Sequence, residues 1–155
     1  MVKRILALDV GERRIGVAVS DLLGITAQGV ETIFTEGLER DLKRVGELAR
    51  RYETDQLLLG LPMRMSGEEG LQAGRVRAFA ERLSEMGLQV RFQDERLTSV
   101  SAERVLIDAG VSRKGRKQVI DKMAAVCILQ AFLDAGGWRE MGQSNRGTGE
   151  REVYR

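Results

Sequence analysis

Histidine is absent from the 155 residues. That removes the commonest general base and every Ser-His or Cys-His nucleophile arrangement. Any catalysis must run on carboxylates, lysine, hydroxyls, the single thiol or metal ions. The one cysteine, Cys127, excludes an intramolecular disulfide and any zinc site of Cys/His spacing. No apolar run is long enough to span a membrane, so no membrane partner is expected. The basic opening Met1-Val2-Lys3-Arg4-Ile5 leads into an apolar stretch that breaks at Asp9, unlike a signal peptide, and a cytoplasmic location is the default expectation. Aromatics make up only 5%, which leaves no aromatic-rich surface for stacking single-stranded bases. The net charge of +2 is too small to identify a nucleic-acid binder by itself. What remains is a chain with 43% hydrophobic and 31% charged residues, which suits one globular domain able to fold without disulfides or a structural metal.

Residues 3–10 (KRILALDV) become apolar in the manner of a strand buried on both faces. Gly11-Glu12-Arg13-Arg14 is a turn, and Ile15–Val19 reads as a second strand, paired with the first as an antiparallel hairpin. A third strand covers Gln28–Phe34, after the turn-like stretch Asp21–Thr26. Thr35-Glu36 opens a helix with the stripe Leu38, Leu42, Val45, Ala49 and Tyr52. Gln56–Leu59 is a short buried strand that ends in a turn at Gly60-Leu61-Pro62, and Met63–Gly70 is expected to be a mobile loop. A second helix carries Val76, Phe79, Leu83 and Met86 and stops at Gly87. Leu88–Phe92 is the next strand. Thr98–Asp108 and Gln118–Leu133 are helices separated by a basic loop, Gly110–Lys117. Strand–helix–strand links of this length make parallel crossovers, so the fold class is α/β, a mixed five-stranded sheet with helices on both faces. Residues 1–135 form the folded domain; the Gly-, Ser- and Arg-rich stretch 136–155 is expected to be a flexible tail.

Three acids stand out. Asp9 lies late in an apolar strand, where a lone buried carboxylate is costly; capping the turn at Gly11 is the structural alternative. Asp94-Glu95-Arg96 follows a strand and so sits at a carboxyl end, the edge where open α/β sheets bind ligands; a solvated charged turn is the alternative. Asp121 opens an apolar helix, where it can simply favour the helix dipole. The topology brings all three places to one end of the sheet. Like charges that close repel, and divalent cations are the usual remedy. Oxygen-only ligands favour Mg²⁺ or Mn²⁺ over zinc. A two-metal site, with ions ~4 Å apart, can activate the attacking water and stabilise the leaving oxygen without any histidine.

The segments LALDVGERRIGVAVSD (6–21), GLPMRMSGEEG (60–70), RVRAFAERL (75–83), DERLTSVSAE (94–103) and DKMAAVCILQAFL (121–133) together resemble the YqgF family. These are the Holliday-junction-resolvase-like nucleases, also regarded as pre-16S rRNA nucleases. The resemblance covers about residues 3–135. It implies an RNase H-like fold with strand order 3-2-1-4-5, strand 2 antiparallel. It also implies a metal-dependent endonuclease that matures the 5′ end of small-subunit ribosomal RNA. The family's acids fall on Asp9, Glu95 and Asp121, as catalytic and metal-holding residues. A fourth acid, usual in resolvases of the superfamily, has no assignment, since Asp94 would face away from Glu95.

Arg13 and Arg14 at the hairpin tip, Arg96 beside Glu95, and Arg113, Lys114, Arg116 and Lys117 ahead of Asp121 are candidate nucleic-acid contacts, each with a solvated surface charge as its plain alternative. Cys127 belongs to the core. Three other functions compete with pre-rRNA processing. One is resolution of branched DNA, which needs paired active sites and hence a homodimer. Another is a non-catalytic binding module. The third, an actin-like ATPase, is suggested by Asp9-Val10-Gly11 but would need two duplicated domains. Pre-rRNA is favoured over branched DNA by the resemblance alone.

Overall fold

The computed structural model describes residues 4–95, 113–137 and 153–154, with side chains for 4–95 and 123–137. Its strands are β1 (Ile5–Val10), β2 (Arg14–Ser20), β3 (Ala27–Phe34), β4 (Gln56–Leu61), β5 (Gln89–Asp94) and β6 (Val153–Tyr154). The described helices are α1 (Leu38–Arg51), α2 (Leu71–Glu85) and α3 (Arg113–Asp134). The sheet runs β3-β2-β1-β4-β5-β6. β2 is antiparallel to β1 and β3, whereas β1, β4 and β5 are parallel. This is the expected mixed sheet in the order 3-2-1-4-5. A sixth, two-residue strand from the stretch read as tail pairs in parallel with Phe92 and Gln93.

Period-two alternation divides the core between two faces. Leu6 and Leu8 of β1, Leu57, Leu59 and Leu61 of β4, and Val90 and Phe92 of β5 pack with Leu42, Val45 and Leu48 of α1 and Val76, Phe79 and Leu83 of α2. Ile5 and Ala7 of β1, Ala18 of β2 and Leu58 of β4 pack with Ala125, Ile128, Leu129 and Phe132 of α3. Each fully buried Leu or Phe contributes roughly 1.5–3 kcal/mol of transfer free energy. The two layers are therefore held by aliphatic burial.

Several boundaries differ from the sequence reading, for local reasons. α1 starts at Leu38, not Thr35, because Gly37 takes φ +121 at the N-cap and the Glu36 N–H donates to Asp41 Oδ1 at 3.2 Å. β4 continues through Gly60 and Leu61 instead of turning there. α3 begins five residues before the expected Gln118, so most of the predicted basic loop is helix. The Thr98–Asp108 helix falls outside the described residues. Among the described residues, no helix is long and apolar enough to cross a membrane.

Candidate active site

The alternation that builds the core also assigns the acids to a face. Ile5 and Ala7 face α3, so Asp9 belongs to that side of β1. On β5, Val90 and Phe92 face α1 and α2, which leaves Gln93 and Glu95 on the α3 side. The Glu95 N–H donates to the Leu61 carbonyl at 3.3 Å, continuing the β4–β5 ladder past Asp94. Asp94 thus lies on the opposite face from Glu95.

The register then sets these residues side by side. Asp9 is opposite Gly16 on β2, and Gly60 is opposite Gln93 on β5. The β1–β4 ladder pairs Leu8 with Leu59, and one further step sets Asp9 beside Gly60. The row reads Gly16, Asp9, Gly60, Gln93, so Asp9 has a glycine on either side. The space over Gly60 is occupied by Glu95. A Cβ at position 60 would lie 2.5 Å from Glu95 Oε2 and 2.5 Å from Ile128 Cδ1 of α3. Gln93 is 6% exposed, and its buried Oε1 finds no donor among the described residues.

Asp9 and Glu95 share a side-chain hydrogen bond, which two carboxyl groups can form only when one keeps a proton. Burial first, then the Asp9 charge and this hydrogen bond, then the Asp94 charge, push the Glu95 carboxyl up to about 8. At neutral pH Glu95 therefore holds a proton and donates it to Asp9. The pair is an acidic centre at the carboxyl ends of parallel strands.

Gly60→Ala tests this packing. The added methyl must displace either the Glu95 carboxyl or Ile128, at a cost of about 1–3 kcal/mol. The expected outcome is a lowered thermal midpoint together with loss of any cation-induced stabilisation. A Gly60→Ala protein with wild-type midpoint and wild-type cation response would show that Glu95 does not lie over Gly60.

The sequence profile described as "RuvX: Holliday junction resolvase" matches residues 3–135. The chain belongs to the RuvX family. Relatives include the "Putative pre-16S rRNA nuclease" of Lactococcus lactis subsp. lactis (strain IL1403), 54% identical over 138 residues covering 87% of this chain and 96% of that protein. The protein of the same name from Moorella thermoacetica (strain ATCC 39073 / JCM 9320) is 55% identical over 135 residues, covering 86% of this chain and 96% of its own. Among solved structures, "T. thermophilus RuvC in complex with Holliday junction substrate" superposes with TM-score 0.54 at 16% identity, covering 88% of this chain and 97% of that one. "Thermus thermophilus RuvC structure" gives TM-score 0.51 at 15% identity, covering 86% and 96%. Likeness at such identities is one of fold, and it agrees with the RNase H-like sheet.

In this RuvX-family chain the structure brings Asp9 and Glu95 together. Asp121 lies in the third turn of α3, not at its start as expected, and its side chain is outside the described residues. Among the described residues no three acidic or sulfur ligands are grouped to hold a metal. Arg113, Lys114, Arg116 and Lys117 open α3 as helix rather than loop, again without described side chains. Gly115, a weak helix former, and the run of cations hid that start from the sequence reading. Arg96 lies outside the described residues. Arg13 is exposed on the β1–β2 turn at the acidic edge, while the Arg14 guanidinium sits over the Phe34 ring, 5.6 Å from its centroid. Cys127 is half-buried, and burial pushes its thiol up, away from the reactive thiolate. A cleft of about 990 Å³ near Val10 and Phe79 lies on the α1–α2 face; of its lining cations, Arg75 pairs with Glu12 and Arg82 with Glu39. Gly60 and Gln93 were missed by sequence reasoning. The lone glycine interrupting QLLLGL was the available signal, because glycine inside a strand marks close approach.

Proposed function

We propose that this chain is a metal-dependent endonuclease that hydrolyses nucleic-acid phosphodiester bonds and processes the 5′ end of pre-16S rRNA. One observation carries the reading: Asp9 and Glu95 are pressed together over Gly60, with Glu95 pushed up to about 8 by burial and by Asp9. Two carboxyls in contact need either a shared proton or a cation between them, so the site is one where a divalent ion can replace the proton. The donor set is oxygen-only, and Gln93 adds a further buried oxygen in the same row, which fits Mg²⁺ or Mn²⁺.

Asp9, Glu95 and Asp121 would hold the cation. Helical spacing supports the third, because position 121 is two turns before Ile128, which packs against Glu95's site. A divalent cation bound there supplies the charge that activates water and stabilises the leaving oxygen. Glu95 would give up its proton when the cation binds. Arg113, Lys114, Arg116 and Lys117 crowd positive charge onto the amino end of α3, whose first turn has no acid. An anionic backbone lying there relieves that repulsion. Arg13, exposed on the turn at the acidic edge, would add a contact; Arg96, next in sequence to Glu95, is proposed as another, whereas Arg14 is engaged with Phe34. A cytoplasmic site of action accords with such a substrate.

The relatives' shared name favours RNA. The family description favours a second reading, resolution of four-way DNA junctions by a homodimer. Wild-type protein incubated with pre-16S rRNA 5′ ends and with four-way junctions, under Mg²⁺, Mn²⁺ or chelator, separates the two. Cation-dependent cutting of the RNA alone is expected. Junction cutting by a dimer would transfer the assignment to DNA, and cutting that persists in chelator would end the metal reading.

A further inference from the structure

The segment between β4 and α2, expected from its sequence to be a mobile loop, is closed as a hairpin. Met63 and Glu69 form an antiparallel bridge, the Arg64 N–H donates to the Glu68 carbonyl at 2.8 Å, and the Gly67 N–H donates to the Arg64 carbonyl at 2.7 Å. Gly67 takes φ +89, the left-handed residue that closes a three-residue hairpin loop. The base is fixed to α2, since the Glu69 carboxylate receives both the Nε of Arg77 and its second guanidinium nitrogen, the latter at 3.1 Å. Arg77 in turn lies over the Phe92 ring, 4.9 Å from its centroid.

This braced hairpin presents exposed apolar surface. Met65 is 76% exposed and Leu71, just beyond the hairpin, is 89% exposed, the highest values among the described large apolar side chains. Both lie on the edge that carries Glu95, because Leu61 accepts the Glu95 N–H and the hairpin follows directly. Met65 is four residue steps beyond Leu61, a reach of at most about 14 Å. Another exposed set, Leu22, Leu23 and Ile25, sits at the opposite pole, beyond Ser20, whose Oγ accepts the Ile5 N–H at the start of β1. Arg64 and Glu68 leave the hairpin no net charge, so a single phosphate contact from Arg64 is the most that its charge supplies. The apolar side chain is its distinctive feature.

We infer that Met65 acts as an apolar wedge against an unstacked base of the substrate strand beside the bond that is cut, with Arg64 touching a neighbouring phosphate. Apolar side chains inserted at base steps unstack them and hold the strand open. Aromatics being scarce, methionine takes this role on a pre-formed turn. The inference rests on the nuclease reading and deepens it: the preferred substrate carries an unpaired nucleotide at the cut.

The test uses single-stranded RNA bearing 2-aminopurine at successive positions around the cut. Binding is followed with the full-length Asp9→Asn protein and Mg²⁺, and steady-state cleavage with Asp9 intact. Binding should brighten one 2-aminopurine position. Met65→Ala should abolish that signal and weaken binding by roughly tenfold, as expected for a lost base contact, with the cleavage defect falling on KM more than kcat. Met65→Leu, which keeps the apolar bulk, should recover both. Arg64→Ala should lower the slope of log affinity against log salt by about one. Thermal midpoints of these exposed-site variants should match the parent. If Met65→Ala binds and brightens like its parent while cleavage persists, the wedge is refuted and the nuclease reading stands. If the unaltered chain neither binds nor cuts RNA, the wedge falls together with the RNA-processing reading.

Discussion

Asp9→Asn should reduce cation-dependent cleavage by on the order of 10³-fold, equivalent to about 4 kcal/mol of barrier, and should leave the fold intact. The change is nearly isosteric, so the row Gly16, Asp9, Gly60, Gln93 keeps its packing. An amide at position 9 still accepts the hydrogen bond that Glu95 donates, but it brings no negative charge to hold a cation. The same substitution removes the charge that helps push Glu95 up. An inactive protein that is at least as stable as wild type at pH 8 is therefore the expected pair of results. Cleavage assays on pre-16S rRNA ends and calorimetry on the same preparation read both. Retained cleavage would remove Asp9 from the site. A protein that is inactive because it no longer folds would instead mean that Asp9 serves the strand end, as a cap for the turn at Gly11.

That structural alternative was legible from the start, and geometry decides how much weight it deserves. The Gly11 N–H closes the β1–β2 turn on the Arg14 carbonyl at 2.8 Å, backbone to backbone. The turn thus has its own closure, and the Asp9 side chain is engaged with Glu95.

Much of the architecture could be read from residue patterns. β1, β2 and β4 appeared as apolar runs because they are covered on both faces, and α1 and α2 showed their stripes because only one face is covered. The carboxyl-end positions of Asp9 and Glu95 followed from strand order. Contact between them did not, because it depends on Gly60. That glycine looked like a turn residue beside Pro62, yet it lies within β4 and makes room for the Glu95 carboxyl and Ile128. The start of α3 was misplaced for an electrostatic reason. Arg113, Lys114, Arg116 and Lys117 at a helix amino terminus oppose the dipole, so local propensity argues for a loop that tertiary context overrides. The hairpin at Met63–Glu69 was hidden by its polar, glycine-containing composition. Its order comes from Arg77, eight residues farther along the chain than Glu69.

Stability without cation should fall as pH rises, and added Mg²⁺ or Mn²⁺ should reverse the fall. Glu95 ionises near its ordinary value of 4.5 in the unfolded chain and near about 8 in the folded one. Between those values the folded state binds more protons than the unfolded state, so the slope of unfolding free energy against pH is negative. The contribution of Glu95 is fully present below pH 4.5 and is lost as pH climbs through about 8. The slope is at most about 1.4 kcal/mol per pH unit for one proton. A cation needs the ionised carboxylate and so competes with this proton. The rise in thermal midpoint on adding Mg²⁺ should accordingly be small at pH 5.5 and large at pH 8.5, and chelation at pH 8.5 should cancel it. Glu95→Gln keeps a donor toward Asp9 without the titrating proton. It should flatten the pH dependence and abolish the cation response together. Calorimetric melts of both proteins across that range decide the matter: a wild-type cation shift equal at the two pH values, or one that survives Glu95→Gln, would place cation binding away from the Asp9–Glu95 pair.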